Sequence, residues 1–418
     1  MFKDLHQNIR VRIYTSFLSR VTGSMVFPFM AIYFSRELNV FIAGFLLLFQ
    51  VIVQFVASLY GGHLADSLGR KKLMVIGEWM KLFAFIGMAL ANSPIFISPW
   101  VTFLMLLLMS ISAGLINPAA EAMLIDVSTK ETRAMMYSIN YWAINLSIML
   151  GLIIGGWLFE DYFFELLLFL LIISFITLWI TIVYIQETFT ISPQNKIQNS
   201  FRIKSIFSSY LTIMRDLPFI FFTIGGIAIL SIEFQRNNFI AIRLEEEFPT
   251  QVVTFFGNFE LSLNGVKMLS LLTVENTLMI VLFTTLITKW IRNKSVQVTM
   301  YIGFILFGLG YSILAISNNL IVLVIGVAIL SIGELMYVPT RQSILADIID
   351  DSRRGSYMAF NGFVFQIGKM FGVLGIMAGE ILSGIGMSFL YILFVLIGIL
   401  FSRLAIKNKS AVRPFSAV

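Results

Sequence analysis

The sequence predicts an all-α membrane protein with twelve transmembrane helices in two pseudo-symmetric six-helix bundles. Three observations carry that expectation: the composition, the distribution of cations between apolar segments, and an internal repeat. Of 418 residues, 58% are hydrophobic and 12% charged, whereas soluble domains run to about 25% charged. The net charge of +6 follows from where the cations sit and is no nucleic-acid footprint, so no nucleic-acid partner is expected. Cysteine is absent, which excludes disulfides, thiolate catalysis and cysteine metal sites. The two histidines, His6 and His63, stand far apart in the chain, so no metal centre is expected. No nucleophile–base pair and no Gly-x4-Gly-Lys-Ser/Thr phosphate loop occurs, which argues against an enzyme or an ATP-driven pump. The first residues lack a small-residue cleavage site after a short apolar core, so no removed signal peptide is expected.

A helix needs about 20 apolar residues to cross the hydrocarbon core. Runs of that kind fall at 12–36, 40–64, 73–92, 99–121, 134–158, 165–187, 217–243, 272–291, 297–316, 320–345, 355–378 and 384–405. Twenty-one of the 29 Lys and Arg residues lie in the segments on the side of the N-terminus, the two terminal segments included. Arg36 and Lys267 lie on the opposite side, and Arg20, Lys81, Arg236, Arg243, Arg341 and Lys369 fall inside spans. Cytoplasmic loops carry the Lys/Arg excess, so both termini are expected in the cytoplasm of a cell (inner) membrane. Residues 188–216 are the one polar connector long enough to join two halves, 1–187 and 217–418, with a short amphipathic helix expected near 201–211. The external stretch 244–271 begins Glu245-Glu246-Glu247 and mixes apolar with polar residues, which suits the membrane interface.

The repeat supports the two halves. Pro118, Asp126, Arg133 and Asn140 are matched by Pro339, Asp347, Arg354 and Asn361, each pair offset by 221 residues, and Asn145 with Gln366 continues the match. Two parallel repeats with a substrate site at their interface are a recurrent transporter plan.

The loop Gly62-His63-Leu64-Ala65-Asp66-Ser67-Leu68-Gly69-Arg70-Lys71-Lys72 joins two spans with one acid, a turn glycine and three cations. Gly69 suits a tight reversal, and Asp66 is too costly to leave unpaired in lipid. The spacing resembles the loop between helices 2 and 3 of the major facilitator superfamily, Gly-x3-Asp-Arg-x-Gly-Arg-Arg/Lys. Ser67 stands where that family has Arg. The resemblance implies that Gly62, Asp66, Gly69, Arg70 and Lys71 act in gating, Asp66 clasping the two halves in the outward-facing state.

Charges at mid-bilayer cost at least ~2.5–3.5 kcal/mol and should face protein or water. Glu334, midway along its span, is the first candidate, since a carboxyl withdrawn from water is able to take up and release protons near physiological pH. Its alternative is a permanently protonated acid bonded to a neighbouring helix. Glu233 and Arg236 stand three apart, so they meet on one helix face and form either a working or a self-neutralising pair. Arg20 and Lys369 need acids from other helices, with Glu233 and Glu334 the obvious suppliers. Glu78 and Lys81 read as a structural pair; Gln50, Gln54, Asn140, Asn145, Asn237 and Asn361 are lesser candidates. Tyr141 and Trp142 precede Ser147-x3-Gly151-x3-Gly155-Gly156, small residues that let helices approach closely. The 21 Met and 41 Phe suit either an adaptable apolar cavity or lipid-facing positions.

Gly151, Gly155 and Gly156 also resemble the antiporter signature Gly-x3-Gly-Pro-x2-Gly-Gly, with Leu152 in place of Pro. Further stretches, Met123-Leu124-Ile125-Asp126 with Glu131-x-Arg133, Tyr141-Trp142-Ala143-x-Asn145-Leu146-Ser147 and Gly333-Glu334-x2-Tyr337-x-Pro339, are similar to the drug:proton antiporter group, the lactococcal type of multidrug/proton antiporter in particular. That resemblance implies proton-coupled efflux of lipophilic, cationic compounds by alternating access. It makes Glu334 the principal coupling residue and gives Asp126 a cytoplasmic gating role alongside Asp66. Asn140 occupies a place where that type has Asp, which implies fewer protons per cycle or less cationic substrates. Glu233 is a second coupling candidate. The expected cavity is lined by Asn140, Tyr141, Trp142, Asn145, Arg236, Asn237, Tyr337, Asn361, Lys369 and Arg20, with Arg133, Asp347 and Arg354 completing the gating set. Protons are the coupling ion with no cofactor, the partners are small lipophilic molecules and the bilayer, and the chain is a monomer. The alternatives are an uptake symporter for a peptide, sugar or lipid-like solute, and a non-transporting membrane sensor.

Overall fold

A computed structural model describes residues 5–128, 130–188, 213–255, 259–349 and 354–412. Most of the 188–216 connector, with its expected 201–211 helix, and the side chains of Asp66, Arg133, Tyr141 and Arg354 lie outside the described residues. The chain divides into two compact units, Met1–Ile197 and Gln198–Val418.

The first unit holds α1 (Gln7–Val26), a 3-10 turn (Phe27–Phe29), α2 (Met30–Glu37), α3 (Val40–Leu68), α4 (Arg70–Leu90), α5 (Pro99–Asp126), α6 (Lys130–Leu158) and α7 (Phe163–Tyr184). Strands β1 (Asn92–Ser93) and β2 (Phe96–Ile97) form a small hairpin between α4 and α5. Pro28 explains the break between α1 and α2, because proline has no N–H to continue the helical ladder. Asn39 and Ser98 cap α3 and α5 by accepting from the Ile42 and Val101 N–H groups. Gly69, at φ +97°, makes the reversal between α3 and α4, a conformation few other residues adopt.

The second unit holds α8 (Leu217–Glu233), α9 (Phe239–Glu247), α10 (Gly265–Ile291), α11 (Val296–Ile316), α12 (Leu320–Ile348) and α13 (Arg354–Val412). α13 is two helices in one run: Ser383, at φ 56° and ψ −178°, interrupts it. Between α9 and α10, β3 (Gln251–Phe255) pairs antiparallel with β4 (Phe259–Leu263), Gln251 opposite Leu263 and Phe255 opposite Phe259. The sequence reading gave this stretch only an interfacial character. The Val-Val-Thr-Phe and Phe-Glu-Leu-Ser runs carry the β-branched and aromatic content that a hairpin needs.

Among the described residues, nine helical segments are long and apolar enough to cross a membrane, and Trp142–Leu158 and Leu217–Glu233 are shorter apolar helices. One of the nine, Phe360–Asn408, contains the Ser383 interruption. The chain is a multi-pass membrane protein with the twelve-helix, two-bundle architecture. The repeat is reproduced in the element bounds: α5 begins at Pro99 and α12 at Leu320, again 221 residues apart, and each carries its internal proline, Pro118 or Pro339. Neighbour choice repeats too. In the first unit α5 packs on α3 and α4, and in the second α12 packs on α10 and α11.

Small residues fill the helix contacts and large apolar ones face outward. Gly155 is one close approach, since a Cβ there would sit 2.3 Å from the Met25 carbonyl oxygen, drawing α6 against α1. Phe45, Tyr60, Trp100, Phe175 and Phe389 are all more than half exposed. In a soluble protein such residues would be a liability, whereas a membrane chain accommodates them.

Candidate functional site

Among the described residues, an intramembrane polar cluster lies within the second unit. It is built where α8 breaks: the helix stops at Glu233, residues 234–238 form turns, and α9 resumes at Phe239. This corrects the expectation of one continuous span over 217–243 with Glu233 and Arg236 on a single helical face. Gln235, Arg236, Asn237 and Asn238 follow one another at the break, and such a polar run satisfies backbone and water better as turns than as lipid-facing helix. Arg236 instead extends to α10, where its guanidinium donates to Asn276 Oδ1 at 2.9 Å. The Asn276 amide donates in turn to Glu334 Oε2 at 3.1 Å and to Ser331 Oγ at 2.9 Å. Tyr311 donates to the Glu233 carbonyl oxygen at 3.2 Å and accepts from Arg236. Tyr337 bonds the Glu233 carboxylate, and its ring packs between Phe304 and Phe307. The two carboxyls and the guanidinium all lie within electrostatic reach of one another. Two acids thus share one cation.

Asn276, Ser331 and Tyr311 were not singled out from the sequence. Threonine, serine and asparagine abound in membrane helices as plain helix-to-helix bonds, and only the packing of α10 on α12 brings Asn276 between Arg236 and Glu334. Asn237 is exposed, while Asn361 and Lys369 are half-buried. The Asn361 Oδ1 is buried without a hydrogen bond among the described residues.

In the first unit, Glu78 and Lys81 do pair, as the i, i+3 spacing predicted, with side chains 2% and 6% exposed. Thr177 of α7 donates to Glu78 Oε2 at 2.9 Å, and Lys81 donates to Ser19 at 3.3 Å and Thr177 at 3.1 Å. The pair ties α1, α4 and α7 together. Arg20 is exposed in its unit and lies within electrostatic reach of Glu121 of α5, an acid the sequence reading passed over. The sequence reading names only Glu233 and Glu334, both in the other unit, as its suppliers. Asn140 and Asn145 are half-buried on α6, and Trp142 is 64% exposed. A cavity of about 430 Å³ elsewhere in this unit is lined by Tyr33, Glu37, Phe159, Asp161 and Glu165 among others, and none of the predicted site residues borders it.

The expected gating loop is tied down on the N-terminal face of the first unit. Arg70 Nε pairs with Asp126 Oδ2 at 2.6 Å, and Thr188 donates to the same oxygen at 3.0 Å. The Glu187 carboxylate accepts from the Arg70 and Lys71 backbone N–H groups at 3.0 Å each, capping the start of α4, where the helix dipole favours an anion. Lys71 Nζ reaches the Ile182 carbonyl at 2.8 Å. Glu187 and Thr188 sit just past α7 and carried no sequence signal. Gly62 has open space around its Cβ position, whereas a Cβ at Gly69 would meet the Glu187 carboxylate at 2.7 Å. Asp347 is exposed on the last turns of α12.

The major facilitator superfamily model matches this chain over residues 13–296 and 248–415. The chain belongs to the major facilitator superfamily. It is therefore a membrane transporter by family, and that family is not a class of enzymes. Among its relatives is a protein of Planococcus maritimus named "Na(+), Li(+), K(+)/H(+) antiporter", 31% identical over 90% of both chains. Another is the multidrug resistance protein MdtH of Blochmanniella floridana, 24% identical over 86% of this chain and 83% of that one. Among solved structures, a POT family transporter bound to 5-aminolevulinic acid superposes with a TM-score of 0.71 at 16% identity, over 98% of this chain and 99% of that one. The superposition speaks for the superfamily fold. These two relatives carry names that differ in substrate, and neither name carries the lactococcal type as such.

Proposed function

We propose that this facilitator is a proton-coupled antiporter of the inner membrane, with both termini in the cytoplasm, exporting lipophilic cationic compounds by alternating access. The observation that carries the reading is the sharing of one guanidinium, Arg236, by two half-buried carboxyls, Glu233 and Glu334, with Asn276 bridging Arg236 to Glu334. A single guanidinium balances one carboxylate. The remaining negative charge is balanced either by a proton or by a cationic substrate, and that either/or choice is the elementary step of antiport. Only a ligand whose affinity differs between inward- and outward-facing states drives such a cycle. A substrate cation bound from inside is displaced when a proton arrives from outside, and the carrier returns in its protonated form and releases that proton inside. Arg70, Asp126, Asp66, Lys71, Arg133, Asp347 and Arg354 form the gating set, and Asn140, Tyr141, Trp142, Asn145, Tyr337, Asn361, Lys369 and Arg20 complete the substrate region. The working form is a monomer in the bilayer that uses protons and no cofactor.

A second reading is exchange of alkali cations for protons, favoured by the name of the 31% identical relative. The same charge balance serves a bare monovalent ion, with Asn276 and the Tyr337 hydroxyl supplying neutral oxygens. Proteoliposomes with an acid-outside gradient separate these readings: ethidium efflux against Na⁺, Li⁺ or K⁺ efflux, each with and without the other. Glu334→Gln abolishes gradient-driven flux of whichever substrate is carried; a Glu334→Gln protein that retains it overturns the mechanism. Accumulation instead of loss, under matched orientation, would favour the uptake symporter, and binding without flux a sensor.

A further inference from the structure

Arg341 stands in the α12 span, past Pro339 and roughly 10 Å along the axis from Glu334, and the mechanism above does not use it. It is 9% exposed. Its guanidinium lies against α8: Cζ sits 5.2 Å from the centroid of the Phe222 ring, and a Cβ at Gly226, one turn further on, would collide with Nη2. Among the described residues the guanidinium makes no hydrogen bond or ion pair, Nη2 is shut off from solvent, and no carboxylate lies within electrostatic reach. The Phe222 ring offers a cation–π contact, which is no counter-ion. A second donor without a partner lies beside it. Thr223, next to Phe222 in sequence and one turn from Gly226, is 5% exposed, and its hydroxyl is buried without a hydrogen bond among the described residues. Thr273 and Thr340 settle their hydroxyls on the carbonyl one turn back, as helical threonines commonly do; Thr223 does not. The fold itself does not call for a cation here. At the 221-residue offset of the repeat, Arg341 answers to Ala120, which is buried in α5 just past Pro118.

An uncompensated charge packed among apolar groups is strongly unfavourable, and a buried donor left without an acceptor adds to that cost. We propose that Arg341 and Thr223 form an anion site between α8 and α12 that takes one small monovalent anion, chloride or a carboxylate. The two helices touch, and both side chains offer donors to the same stretch of α8. The site carries a single positive charge, so a monovalent ion neutralises it, whereas a divalent one would leave a buried negative charge. The anion accepts from the guanidinium edge and from the hydroxyl, and hydrogen bonds of that charge-assisted kind are the strong ones. It ties α8, which ends at Glu233, to α12, which carries Glu334. The proposal does not rest on the antiport reading, because Arg341 lies outside that cluster and occupancy is read without transport.

The purified full chain in detergent, exchanged into isethionate, a bulky sulfonate, is titrated with chloride and separately with acetate at constant ionic strength while Tm is followed. At saturation the wild type melts about 3 °C or more higher, since an ion that binds only the folded chain stabilises it, and equilibrium dialysis against the radiolabelled anion finds one ion per chain. A response to chloride assigns the site to the halide, and a response to acetate alone assigns it to a carboxylate; either upholds the site. Arg341→Met abolishes the response, which separates binding at this site from general salt effects on stability. Arg341→Lys keeps the charge and retains a weaker response, and Thr223→Val raises the midpoint severalfold. A wild type whose Tm is indifferent to both anions, or a response that survives Arg341→Met, overturns the proposal. If Arg341→Met does not fold, Thr223→Val decides: a raised midpoint upholds the site, and an unchanged one overturns it.

Discussion

Removing the Asn276 side chain is the sharpest test of the cluster in the second unit. Asn276 accepts from Arg236 at 2.9 Å and donates to Glu334 at 3.1 Å, so it makes two hydrogen bonds to charged groups, with a third to Ser331 at 2.9 Å. A hydrogen bond to a charged group is worth about 1.5–3 kcal/mol. Losing both charged contacts therefore costs about 3–6 kcal/mol if nothing replaces them, and water entering the space left by the amide brings the figure toward the lower end. At about 1.4 kcal/mol per tenfold, the lower end is about a hundredfold. Asn276→Ala is expected to cut gradient-driven flux on that scale in proteoliposomes, with a weaker fall in thermal stability in detergent. Asn276→Asp keeps the acceptor for Arg236 but sets a carboxylate against Glu334, so it is expected to fall at least as far. If Asn276→Ala transports within threefold of the wild type, then Arg236 and Glu334 do not communicate through the amide, and the charge-sharing account is wrong.

Three further outcomes are expected. Lys81→Met strands the buried Glu78 carboxylate and should lower stability by about 3–5 kcal/mol, whereas Glu78→Gln with Lys81→Met should recover most of that loss; additive losses in a thermal-denaturation cycle would refute the pairing. Gly155→Val forces a Cβ to within 2.3 Å of the Met25 carbonyl oxygen, and overpacking of that kind costs about 1–3 kcal/mol, read as a lower Tm with the same effect on every substrate. Beyond the spanning residues, burial first and then the neighbouring Glu245, Glu380 and Glu247 carboxylates push the Glu246 carboxyl above its ordinary range. The folded state therefore binds this proton more tightly than the unfolded one. Its stabilising contribution is complete in acid and is lost as pH rises from the ordinary carboxylate range through the raised value. Glu246→Gln should raise Tm at pH 8 and leave it unchanged at pH 4, with a small amplitude because the group is largely solvated; a larger gain in acid would reverse the argument.

The sequence alone determined the class of the molecule, because the bilayer enforces it. Backbone groups in hydrocarbon must bond within their own segment, so runs of apolar residues become helices almost regardless of context, and the 221-residue offset of Pro118, Asp126 and Asn140 from Pro339, Asp347 and Asn361 announced the two halves. Local pairs were legible for the same reason that helices were: Glu78 and Lys81 meet because three residues nearly complete a turn. That rule misled at Glu233 and Arg236, where α8 ends, since a helical spacing means nothing once the helix stops. Only the tertiary structure decided that Arg236 crosses to Asn276, that Glu187 from beyond α7 caps α4, and that Arg20 lies near Glu121. Each of these joins residues from different helices, and which helix faces which is set by close packing of small side chains and polar bonds whose partners lie tens to more than a hundred residues away. The chain specifies where charge enters the membrane, and the packed bundles decide which charges meet.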